Sequence, residues 1–153
     1  MYSKTALSEQ KSRFFTALGR YMSPVPSAGG DPVNWMNYRT KLRHLHIRME
    51  LFPRNCRISF VLSGKDESER LTHYAMLESF LPVWEETCGS GWTWLRHDLT
   101  PEGAPCCRIF RLLENVSVMD DRHWPEMISF FKQHLQELDA FWQEVKDFFP
   151  LGN

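Results

Sequence analysis

The stretch Leu42–Leu62 limits the fold most, because apolar and polar residues alternate at a period of two on both sides of a single proline. Leu45, Ile47, Met49 and Leu51 take one side of a first strand, and Cys56, Ile58, Phe60 and Leu62 take one side of a second. Opposed residues in an antiparallel pair share a face, so the two apolar sets must meet. That condition selects the register joining Leu51 to Cys56, Met49 to Ile58 and Ile47 to Phe60. It leaves a loop, Phe52-Pro53-Arg54-Asn55, with proline where a type I turn accepts it. The same register opposes Glu50 to Arg57 and Arg48 to Ser59 on the other side. His44, His46, Arg48 and Glu50 are expected to project together from that second face.

Helical spacing brackets this hairpin. Ser8 is expected to cap a helix through about Met22, with Phe14, Phe15, Leu18 and Met22 along one face, and residues 1–7 are expected to be disordered. Pro24 and Pro26 end the helix, and Ser23–Pro32 is a Pro/Gly/Ser loop. Asn34–Thr40 reads as a short edge strand or an irregular lead-in. After the turn at Ser63–Asp66, a helix is expected from Glu67 to Cys88, kinked or split at Pro82. Trp92–Leu99 and Cys106–Leu113 read as two further strands whose faces the pattern does not assign. A final helix is expected from Asp120 or Asp121 to about Phe149. Its wide apolar arc leaves room for a second buried contact, with the first helix or with another subunit. The predicted fold is one α+β domain over residues 1–153, an antiparallel sheet built from hairpins with three helices packed mainly on one face, a two-layer sandwich.

Composition supports a single packed core: 42% of the 153 residues are hydrophobic and 14% aromatic, ample material for burial. The formal charge of −1 gives no global attraction to nucleic acid or anionic lipid. Locally the charge separates. Residues 33–64 hold six Lys/Arg against Glu50 alone, and residues 120–149 hold seven acids against Arg122, Lys132 and Lys146. No apolar run reaches membrane-spanning length and no signal-peptide pattern lies near Met1, so a cytoplasmic location with no membrane partner is expected. In a reducing compartment Cys56, Cys88, Cys106 and Cys107 are expected as buried thiols.

The chemistry-bearing residues gather on the polar side of the hairpin. His44 and His46, two apart on a strand, present the donor type a transition metal takes, with Glu50 or His97 as further ligands, but no spacing supplies a complete set, and no metal or other cofactor is assigned. The one acid-x-Lys triplet suggestive of nuclease chemistry, Glu144-Val145-Lys146, falls inside the final helix. No serine-hydrolase elbow, zinc-protease helix or dinucleotide fingerprint is present, and no catalytic residue is assigned. Adjacent Cys106 and Cys107 point to opposite sides of a strand and are not expected to pair. Arg39, Arg43, His44, His46, Arg48, Glu50 and Arg57 form the candidate binding set. With Lys41, Arg54, Trp35 and Tyr38 it has the cations and rings of a nucleic-acid-facing surface, and also the composition of a protein interface.

Four segments carry a family resemblance: FFTALGRYMSPVP at Phe14–Pro26, NWMNYRTKLRHLHIRM at Asn34–Met49, GWTWLRH at Gly91–His97 and HWPEMISFFKQHLQELDAFW at His123–Trp142. In this order the chain resembles DUF4268, a bacterial family known as a domain of unknown function. The resemblance implies no established activity and no catalytic residue. It does imply a setting, since similar domains stand alone or follow a part that looks like a restriction-type nuclease. The leading expectation is a non-enzymatic interaction module that self-associates as a homodimer, or binds another partner, through its sheet face and final helix. The alternatives are a nucleic-acid-binding accessory domain and a metal-dependent hydrolase centred on His44, His46 and Glu50. Nothing in the pattern specifies a small-molecule ligand.

Overall fold

The computed structural model describes residues 3–151. Its order is α1 (Lys4–Met22), β1 (Leu45–Phe52), β2 (Asn55–Leu62), α2 (Glu67–Ser79), α3 (Leu81–Cys88), β3 (Thr93–Leu99), β4 (Pro105–Glu114) and α4 (Trp124–Val145). The fold is α+β, with one antiparallel sheet of order β1-β2-β4-β3. The hairpin register is the one the alternation selects, with Ile47, Met49 and Leu51 opposite Phe60, Ile58 and Cys56. Pairing extends to Phe52 and Asn55, so the expected four-residue loop shortens to Pro53-Arg54.

Four helices form where three were expected, because Pro82 splits the second. Pro82 stands in the first turn of α3, where its missing N–H breaks no helical bond, and Phe80 turns the chain between the two pieces. The first helix begins at Lys4, capped by Ser3 Oγ accepting from the Ala6 N–H, rather than at Ser8. Between Asn34 and Thr40 the chain makes a single 3₁₀ turn, Trp35–Asn37, and no strand. The final helix is α-helical only over Trp124–Val145, with 3₁₀ turns at Asp121–His123 and Lys146–Phe148.

Aromatic rings join sheet to helices. Phe60, at the centre of β2, meets Trp84 of α3 and Phe141 and Trp142 of α4, with centroids 6.0–6.5 Å apart. Nearer its start the same helix meets α1, through Phe131 against Phe14. The apolar arc of α4 is thus buried within the chain, against the sheet and α3 along its second half and against α1 along its first. Asp139 of α4 is also buried. It accepts hydrogen bonds from Ser27 Oγ, the Ala28 N–H, Tyr38 OH and Gln143 Nε2, and so fastens the loop between α1 and β1 to the core.

All four cysteines are free and buried, and adjacent Cys106 and Cys107 fall on opposite sides of β4 as expected. Burial pushes the Cys107 thiol up to about 11 and, with help from Glu126, Cys56 up to about 12. Unfolded thiols lose their protons near the ordinary value of 9.0 while these folded ones keep theirs, so above that pH the folded state binds more protons. Stability is therefore expected to fall as pH rises from about 9. Urea midpoints should be lower at pH 10 than at pH 8, and a flat or rising profile would contradict the assignment.

Candidate functional site

One face of the sheet carries no helix. It is built from the residues that alternate with the core set: His46, Arg48, Glu50 and Phe52 on β1, Arg57, Ser59 and Val61 on β2, and Cys106, Arg108, Phe110 and Leu112 on β4. Charges knit the strands together. Glu50 Oε1 accepts from Arg57 Nη2 at 2.7 Å and Nε at 3.0 Å, and lies 3.4 Å from Arg108 Nη1. Arg108, 2% exposed, also donates to Ser59 Oγ at 3.0 Å and to Asp98 Oδ2 at 2.8 Å. Two arginines and two carboxylates thus neutralise one another across all four strands.

This network divides the face. Toward the Pro53 turn, the Arg57 guanidinium lies over both the Phe52 and Phe110 rings, at 5.2 and 5.5 Å from their centroids, beside Leu112, which is 41% exposed. At the other end the turn after β3 forms one wall of a cleft of about 560 Å³. Val61 and Arg108 help line it, with His46 and Arg48 from β1 and Pro101 and Glu102 from the turn. Burial, then the nearby Arg48 and His44, push the His46 imidazole below its ordinary range, so it is neutral at pH 7. Burial alone would raise the Asp98 carboxyl, but the Leu99 N–H and Arg108 outweigh it and hold the group below the usual carboxylate range.

The predicted site residues separate into two groups. His46, Arg48, Glu50 and Arg57 share the helix-free face. His44 does not lie in a strand: β1 starts at Leu45, and His44 turns the backbone at φ 71°. Its ring closes over Gly64, where a Cβ would come within 2.8 Å of His44 Cδ2. The strand geometry that would aim both histidines at one ion is therefore absent, and among the described residues no three His, Cys, Asp or Glu side chains converge as metal ligands. Arg39 and Arg43 are exposed in the loop before β1, at the rim of the face. The alternation missed Arg108 and Asp98, because β4 is largely apolar on both sides and β3 shifts register between Leu95 and Asp98.

No helix among the described residues is long and apolar enough to cross a membrane. No curated protein matches the sequence. Among solved structures, the crystal structure of YbjN, a candidate transcription regulator from E. coli, aligns with a TM-score of 0.42 and 9% identity, covering 73% of this chain and 76% of that one. So loose a likeness carries no functional argument. The family model of DUF4268, a domain of unknown function, matches residues 10–146, and the chain belongs to that family.

Proposed function

We propose that the chain is a non-enzymatic interaction module whose working surface is the helix-free sheet face, and that the partner this face fits is a second copy of the chain. The observation that carries the reading is the Phe52–Arg57–Phe110 stack beside Leu112: aromatic and arginine surface, held rigid by ion pairs, on a face that no helix of the chain covers. Arginine and aromatic anchors of this kind dominate protein interfaces, and pinning them in advance lowers the entropy lost on association.

Arg48 on β1 and Glu102 in the turn after β3 line the same cleft and make no ion pair with any described residue, so these unlike charges already face one another within one chain. A two-fold axis parallel to the strands would seat the apolar end of one copy on the apolar end of the other, an isologous contact. Four strands at about 4.8 Å and eight residues at about 3.3 Å span only about 500 Å² of projected area, and Ser59, Val61, Cys106 and Arg108 within it are already buried by the chain. Stable interfaces use about 800 Å² per partner, so the dimer should be weak and concentration-dependent. Sedimentation equilibrium should show reversible dimerisation that Leu112→Asp abolishes without altering the circular dichroism spectrum.

A second reading rests on the exposed Arg39, Lys41 and Arg43 at the rim, which make no ion pair with any described residue and suit nucleic-acid phosphates. Its signature would be an affinity that drops steeply with added salt and is indifferent to Leu112→Asp.

A further inference from the structure

The chain leaves β2 through Ser63-Gly64-Lys65 and enters α2 at Asp66, whose Oδ1 accepts from the Glu69 N–H at 3.1 Å. Beside this junction is a cavity of about 630 Å³ lined by Arg43, His44, Lys65, Arg70 and His73. Asp66 and Glu69 also contribute to its wall, but both are exposed and the first is engaged as the helix cap.

Two of the lining residues are largely buried yet keep polar atoms open to the cavity. Arg70 is 6% exposed, gives one N–H to Gly64 O at 2.6 Å, and has no carboxylate within ion-pair distance among the described residues. His73, one helical turn further on, is 8% exposed. Its ring stands edge-on to Phe149 at 6.0 Å between centroids and makes no hydrogen bond to any described residue. No polar atom of either is sealed from water without a partner, so their free donors are reached through the cavity. Arg108, in the same molecule, is instead paired with Asp98 and Glu50.

We propose that this cavity binds a phosphate-bearing small molecule, with the phosphate held by Arg70 and His73 at the start of α2 and the organic part filling the remaining space. Two features point to phosphate. Arg70 supplies a planar fork, and the exposed Arg43 and Lys65 add cationic charge to the wall. Donors on the loop residue Lys65 and on the α2 side chains Arg70 and His73 suit the several oxygens of a tetrahedral anion better than a planar carboxylate. The cavity exceeds a lone phosphate many times over, since a water needs only about 30 Å³, and it lies in the range that encloses molecules of mononucleotide size.

The site is independent of the sheet-face reading, because Lys65, Arg70 and His73 lie outside that face. Calorimetric titration of the full chain with a 5′-mononucleotide and with inorganic phosphate tests it. The mononucleotide should bind with a dissociation constant below about 1 mM, and phosphate alone more weakly. His73→Gln and Arg70→Lys should each weaken mononucleotide binding about tenfold or more, and Arg20→Ala, which removes a cation from α1 as Lys65→Ala removes one from the cavity wall, should not. Should the buried substitutions unfold the chain, Lys65→Ala, on an exposed residue, should still weaken binding, and the His73 ring resonances should shift on titration. No binding of either probe at about 10 mM, equal affinity for both, or affinity untouched by Lys65→Ala and His73→Gln would overturn the assignment.

Discussion

Replacing Asp139 by alanine is expected to destabilise the fold by about 3–5 kcal/mol, the range seen when one member of a buried polar network is removed. The carboxylate is 1% exposed and accepts from Ser27, Ala28, Tyr38 and Gln143, so the substitution strands several donors that water cannot reach. The damage should centre on the loop between α1 and β1, since Ser27, Ala28 and Tyr38 all belong to it. Asp139→Asn keeps the shape but puts an amide where four donors converge, and it should recover only part of the loss. Urea denaturation with linear extrapolation measures the effect. A loss below about 1 kcal/mol would show that the loop is held by other contacts, such as Trp142 Nε1 donating to Thr40 O at 2.9 Å.

Arg108→Ala is expected to cost a similar amount, about 3–5 kcal/mol. With the guanidinium gone, Asp98 loses its only ion pair among the described residues, and Ser59, 0% exposed, loses its donor. Because Asp98 titrates below the usual carboxylate range in the fold, its contribution is present above the ordinary aspartate pKa and disappears as pH falls through the lowered value. Arg108→Ala should therefore flatten the acid limb of the stability profile as well as lower its plateau. In a double-mutant cycle Asp98→Asn should cost less in the Arg108→Ala background than in the wild type, and strict additivity would contradict the ion-pair account.

What could be read from the residues follows a physical divide. The β1–β2 register was legible because the two sides of this hairpin differ so much in polarity that a slip by one residue would expose Ile58 and Phe60. The pairing of Glu50 with Arg57 followed from it. The faces of β4 were not legible: Cys106, Phe110 and Leu112 fall on one side and Cys107, Ile109 and Leu113 on the other, with Arg108 and Arg111 divided between them. The role of Asp139 lay out of reach because Tyr38 and Ser27 stand 101 and 112 residues away in the chain. His44 failed as a strand residue because its left-handed backbone follows from a tertiary contact, its ring against Gly64, that no local pattern encodes. The split at Pro82 was legible, since proline removes a donor wherever it stands. The contact of α1 with the first half of α4 was not, because an apolar arc does not record what covers it.

These elements converge on the helix-free face. Its network fixes the side chains in place, its histidine pair is broken up by the turn at His44, and its apolar end presents Phe52, Phe110 and Leu112 around Arg57. The account is tested most directly by sedimentation equilibrium of the full chain from about 10 to 300 μM, a range chosen for an interface at the small end of the known sizes. The prediction is a reversible monomer–dimer equilibrium in the wild type, shifted to monomer by Leu112→Asp and by Phe110→Asp. A wild type that stays monomeric across the range, or a dimer that neither of these substitutions disturbs, would contradict it.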